Sequence, residues 1–169
     1  MSRVNFTRAT AAFWSGLHPK LDLSGLEVVL RLIWSGRLAE ELLEQAAIAS
    51  GLRRRGDYEV LTTLRRAEPE LLTPVQVAQQ LRTSQSGMTG KLDRLERQGL
   101  IERIPDLEDR RALRLGITRE GRALLDRAFA TSLSQYQAML EDFTPKELKE
   151  FQRLLEKLLS RLDALAGYR

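Results

Sequence analysis

The chain has 169 residues, no cysteine and a single histidine, His18. That excludes disulfides, thiolate metal sites, thiol redox switching, histidine-clustered metal centres and Ser-His-Asp triads. With 43% hydrophobic and 30% charged residues, the composition is that of a soluble globular domain with a real core.

The formal net charge of +4 is unevenly placed. Residues 1–52 hold five basic and five acidic groups, residues 123–169 seven and seven, and residues 53–122 fifteen and eleven. The whole excess lies in the middle. This layout predicts that the centre meets a polyanion while the ends do something else. No apolar run approaches the roughly 18 residues of a membrane span. The opening MSRVNFTRAT lacks the uninterrupted apolar stretch of a signal peptide, so a cytoplasmic chain without a membrane partner is expected.

In chain order, a short helix over about residues 3–15 bears Phe6, Phe13 and Trp14 and ends at Gly16 and Pro19. Ser24-Gly-Leu-Glu27 reads as a capping box. From it Leu26, Val29, Leu30, Ile33, Trp34, Leu38, Leu42 and Leu43 recur at helical spacing up to a stop at Gly51. Asp57 reads as the cap of a helix carrying Val60, Leu61 and Leu64, which breaks at Pro69. Thr73-Pro-Val-Gln76 is a second capping box, with proline at the first helical position, where its missing N–H costs nothing. It opens a short helix through Leu81. Ser84 begins the next helix, with Met88, Leu92 and Leu95 as its inner stripe and Gly99 as its end.

The period then changes. Leu100–Pro105 and Leu113–Ile117 are β-like runs around the polar loop DLEDRRA. Thr118 caps a long amphipathic helix to about Glu141, and Thr144-Pro-Lys-Glu147 caps a last one to about Ala166. The expected fold class is mainly α with a small β-hairpin wing. Residues 53–118 form a winged helix-turn-helix, and residues 1–52 and 119–169 supply flanking helices.

Two segments carry chemistry. The second helix of the helix-turn-helix presents Gln85, Ser86, Thr89, Gly90 and Lys91 outward, with Ser84 at its cap and Arg94 further along. Small polar residues near a helix N-terminus let the backbone approach a DNA groove, where its N–H groups favour phosphate oxygens. Glutamine can address adenine bidentately, and Ser and Thr read bases less selectively. In the hairpin loop, Asp109 can brace a neighbour while Arg110 and Arg111 suit the negative potential of a narrow minor groove. Phosphate contacts are expected from Ser84, Lys91 and the Arg53–Arg55 run.

The run GLIERIPDLEDRRALRLGITREGRALL strongly resembles the wing of MarR-type transcriptional regulators, including the element Asp109-Arg110-Arg111. The resemblance extends over about residues 24–165. It implies a homodimer whose terminal helices interlock and whose two recognition helices address a pseudo-palindromic operator about one DNA turn apart. ATAAFWSGLHP resembles the added first helix of the urate-responsive branch of that family. That resemblance implies an anionic or aromatic effector held by Trp14 and Arg103, with Glu59 in place of the branch's Asp and Lys91 in place of its recognition-helix Arg. A lysine cannot reproduce a planar bidentate grip. The expected function is a DNA-binding regulator, a repressor released by such a ligand through a population shift. The alternative is a winged-helix protein-interaction scaffold without an operator. No cofactor, metal site or catalytic constellation is expected, and hence no enzyme.

Overall fold

A computed structural model describes residues 2–106 and 113–167. The order is α1 (Arg3–Leu17), α2 (Leu26–Ala49), α3 (Arg55–Ala67), α4 (Pro74–Gln80), α5 (Gln85–Arg97), β1 (Ile101–Pro105), β2 (Leu113–Ile117), α6 (Arg119–Leu140) and α7 (Pro145–Leu165). The strands form an antiparallel hairpin in which Ile101 faces Ile117 and Pro105 faces Leu113. The chain divides into two compact units, Met1–Ser132 and Leu133–Arg169.

The first unit has one core. Val60, Leu61 and Leu64 of α3, Val77 and Ala78 of α4, and Met88, Leu92 and Leu95 of α5 meet Ile101, Leu115 and Ile117 of the hairpin. Ala47 and Leu52 join from around the α2 end, and Leu124, Leu125 and Ala128 from α6. A single bridge between Leu72 and Leu115 attaches the hairpin to the segment before α4 through the Leu115 N–H and the Leu72 carbonyl, 2.8 Å apart.

Most local signals operate as their chemistry predicts. Thr73 and Gln76 form a reciprocal capping box with Pro74 in the first turn, and Thr144 and Glu147 form another before α7. Gly51 takes φ +103°, while the Gly51 and Leu52 N–H groups close onto Ile48 and Ala47, the paired bonds of a Schellman stop.

Two expected caps are absent. Gly25, not Ser24, is the residue before α2, and no side chain caps that helix. The Ser24 N–H is instead taken by the Asp22 carboxylate at 3.0 Å, which holds Asp22 below the usual carboxylate range, and Glu27 pairs with Arg31. Asp57 is likewise no cap. Arg54 precedes α3, and the Asp57 side chain is buried and paired elsewhere.

Helix α1 lies against α2 with little burial of its own. Only Thr7 is buried, and Trp34 of α2 receives the Phe6 ring edge-on and the Arg3 and Arg37 guanidiniums over its ring at 4.4 and 5.3 Å. In the second unit Phe143 stacks on Phe151, with ring centroids 5.7 Å apart.

Behind the hairpin, Glu68 accepts hydrogen bonds from Arg122 of α6 and from Arg65. The Arg122 guanidinium holds the Glu68 carboxyl below its ordinary range. A depressed carboxylate contributes stability above its unfolded pKa and loses it as pH falls through the folded one. Both side chains are partly solvated, so the effect is small. Glu68→Gln is expected to lower the melting temperature slightly at neutral pH, and the difference from the native protein should close as pH falls below the usual glutamate range, flattening the acid limb.

Candidate nucleic-acid interface

The turn between α4 and α5 is built by backbone bonds and one residue with unusual dihedrals. Arg82 takes φ +49°, a left-handed conformation, and the Thr83 N–H reaches the Ala78 carbonyl at 3.0 Å. Ser84 then caps α5 by accepting the Gly87 N–H at 3.2 Å. A side chain at Gly87 would sit 3.1 Å from the Ser84 oxygen, so glycine there leaves the cap room.

Met88, Leu92 and Leu95 are all essentially buried, which fixes the rotation of α5. With those positions inside, Gln85, Ser86, Thr89 and Gly90 are exposed, together with the cap Ser84. The Thr89 hydroxyl donates to the Gln85 carbonyl at 3.0 Å, leaving its lone pairs and methyl on the outer face. No atom lies within 4 Å of where a Gly90 side chain would begin. The exposed stripe is small, polar and close to a helix N-terminus.

Two of the three basic residues of α5, Lys91 and Arg94, turn inward, while Arg97 stays exposed. The Lys91 ammonium lies over Gly56 of α3, 3.1 Å from where a side chain there would begin. Arg94 donates through Nε and Nη2 to the carboxylate of Asp57. Asp57 is fully buried and the Arg94 side chain is 22% exposed, so this ion pair ties α5 to the α3 start. Sequence reasoning missed Asp57 in this role, although it lies three, four and seven positions before Val60, Leu61 and Leu64 on the buried face of α3.

Arg55 is also committed. Its backbone N–H donates to Glu44 at 2.7 Å, and its guanidinium pairs with Glu40 and, at 3.7 Å, with Glu59. Of the Arg53–Arg55 run, Arg53 and Arg54 keep exposed side chains.

Of the four residues expected to hold an effector, Lys91 alone lines the cleft beside α5. Lys91 lines a cleft of about 510 Å³ with Glu44, Arg54, Gly56, Gly87, Gly90 and Arg94, and neither Trp14, Glu59 nor Arg103 lines it. Trp14 is 43% exposed on α1 and stacks on His18, with centroids 5.7 Å apart. Arg103 of β1 pairs with Asp93 and Glu96 of α5, which tethers the hairpin to that helix. The wing residues Asp109, Arg110 and Arg111 lie outside the described residues. Among the described residues no group of His, Cys, Asp and Glu could hold a metal ion, and no helix is long and apolar enough to cross a membrane.

Comparison with known proteins places this geometry. The model of the MarR family matches residues 50–112, from the end of α2 into the wing loop. The chain is 28% identical to the HTH-type transcriptional repressor YetL of Bacillus subtilis over 146 residues, covering 86% of this chain and 87% of that one. Its fold resembles mutant MarR from E. coli complexed with operator DNA, with TM-score 0.69 and 26% identity over 82% of this chain and 99% of that one. CouR from Rhodococcus jostii RHA1, bound to p-coumaroyl-CoA, is similar with TM-score 0.64 and 27% identity over 78% and 90% of the two chains. The relatives are named as regulators and repressors, not as enzymes. Helix-turn-helix, hairpin and flanking helices thus agree with sequence and fold relatives alike: the chain is similar to transcriptional regulators of the MarR family.

Proposed function

We propose that this regulator binds a pseudo-palindromic operator in double-stranded DNA as a homodimer and acts as a repressor released by a small anionic or aromatic ligand. The observation that carries the DNA reading is the exposed stripe Gln85, Ser86, Thr89 and Gly90 on a capped helix whose opposite face is locked into the core. Side chains this short let a helix N-terminus sit deep in a major groove. Arg110 and Arg111, with Asp109 as their brace, enter the flanking minor groove, and Ser84 contacts phosphate. Lys91 and Arg94 swing from the cleft to the backbone, or remain there as structural cations. The MarR structure in complex with operator DNA supports the assignment.

Residues 1–52 and 119–169 join the two subunits, and residues 53–118 bind DNA. What supports this is apolar surface. Phe13, Leu17, Val28 and Val29 are each at least half exposed, and α7 carries Phe151, Leu154, Leu159, Leu162 and Leu165 with no buried residue. Large apolar faces of this kind mark association surfaces.

The ligand enters the cleft lined by Arg54, Lys91 and Arg94; with Arg94 paired to Asp57, Arg54 and Lys91 face one lining carboxylate, Glu44. Trp14, Glu59 and Arg103 reach it only through dimer formation or movement. The CouR complex supports ligand binding within this fold.

The test is affinity for an operator selected from random duplexes, measured at two salt concentrations. Binding should fall steeply with salt, and Arg111→Ala should cost about 1–3 kcal/mol and reduce the salt slope. If the folded dimer binds no selected duplex and Arg111→Ala changes nothing, the chain is a protein-interaction scaffold.

A further inference from the structure

We infer that Arg114 and Asp106 form a clamp that sets the position of the wing on DNA. Asp106 immediately follows β1 and is 8% exposed. Arg114 is the second residue of β2, and its Nε donates to the Asp106 carboxylate. The same guanidinium donates through Nη1 to the Leu71 carbonyl at 3.1 Å, in the connection between α3 and α4. One side chain therefore ties together both ends of the wing loop and the body of the DNA-binding lobe.

The backbone alone holds this hairpin lightly. It has two strands of five residues, and among the described residues one isolated bridge, Leu115 to Leu72 next to the clamp, adds to its core packing and the Arg103 ion pairs with α5. A two-stranded hairpin is marginal by itself, so its angle to the lobe depends on such attachments. Arg114 is basic and lies near the proposed DNA face, yet two of its donor groups point at Asp106 and Leu71. It is a positioning residue. The clamp rests on the wing reading above, because its effect is felt through what the loop between residues 106 and 113 contacts.

Charge alone and the clamp predict opposite signs for one substitution. Asp106→Asn removes a negative charge beside a polyanion, so simple electrostatics would tighten binding to every duplex. The clamp instead predicts about tenfold weaker binding to a selected operator. Most of that loss should disappear on a duplex whose flanking A·T pairs are replaced by G·C, where the wing has less to gain.

Arg114→Gln should behave alike, and Asp106→Asn combined with Arg114→Gln should lose no more than either alone. Arg114→Lys keeps the charge without the fork and should fail to restore affinity. Thermal unfolding of each variant separates loss of fold from loss of position. Should Arg114→Gln unfold, Asp106→Asn and Arg114→Lys carry the test.

Tighter binding by Asp106→Asn, additive losses, rescue by lysine or equal losses on both duplexes would overturn the clamp. In each of these cases a cost for Arg111→Ala leaves the wing reading standing. If Arg111→Ala binds as well as the native protein, the wing reading falls and the clamp with it.

Discussion

Arg94→Ala is expected to destabilise the core built by α3, α4, α5 and the hairpin by about 3 kcal/mol, read from the midpoint and slope of urea unfolding. The cost arises from what the substitution leaves behind. Asp57 has no exposed side-chain surface, and Arg94 is the cation that meets its carboxylate. Removing one partner of a buried pair strands the other charge in a medium that solvates it poorly, which is far costlier than losing a surface ion pair. The residual exposure of Arg94 screens the pair somewhat, so the expected figure sits at the low end of the range for such losses.

The same pair decides whether Arg94 touches DNA. Replacing both partners with apolar residues of similar volume, Asp57→Leu with Arg94→Met, should recover most of the stability, because no charge is then left unpaired. If the recovered protein also binds its operator at native affinity, Arg94 serves α5 only as a strut. If stability returns and affinity does not, Arg94 contacts DNA or holds the recognition helix at an angle that a methionine cannot reproduce.

The second large effect is expected at Gly121. A Cβ there would collide with the Leu100 carbonyl oxygen and lie 2.9 Å from Ile117 Cγ1. That carbonyl accepts the Thr118 N–H at 3.1 Å, just before α6, so it is pinned and cannot swing away. Gly121→Ala must therefore push α6 off the base of the hairpin, at a cost of about 3 kcal/mol. Gly90→Ala is the control. No atom lies within 4 Å of its Cβ position, and alanine is the better helix former, so stability should rise by up to about 1 kcal/mol. Urea unfolding of the two variants should move in opposite directions. Equal destabilisation would mean that the close approach of α6 to Leu100 does not constrain the fold.

Much of the architecture was legible because its determinants are local. The Thr73 and Thr144 capping boxes, the serine cap at Ser84 and the glycine stops at Gly51 and Gly99 each act within a few residues. The three-and-four spacing of Met88, Leu92 and Leu95 set the inner face of α5, and with it the outward stripe from Gln85 to Gly90. Where local chemistry offered two solutions, the reading failed. Ser24 could cap α2, but its N–H lay closer to an alternative acceptor in Asp22, and Glu27 found Arg31 one helical turn away.

What the sequence determined by itself is the order and type of the elements, the rotation of α5 and the resemblance to regulators of the MarR family. Tertiary structure alone decided which charges are spoken for. Asp57 with Arg94, Asp106 and Leu71 with Arg114, and Glu68 with Arg122 join positions far apart in the chain. Periodicity can place an arginine on a helix face, but only packing brings a particular carboxylate within reach of it. Where the carboxylate is buried, as at Asp57 and Asp106, the pairing becomes obligatory, since an unpaired charge in the interior costs more than the fold can spare.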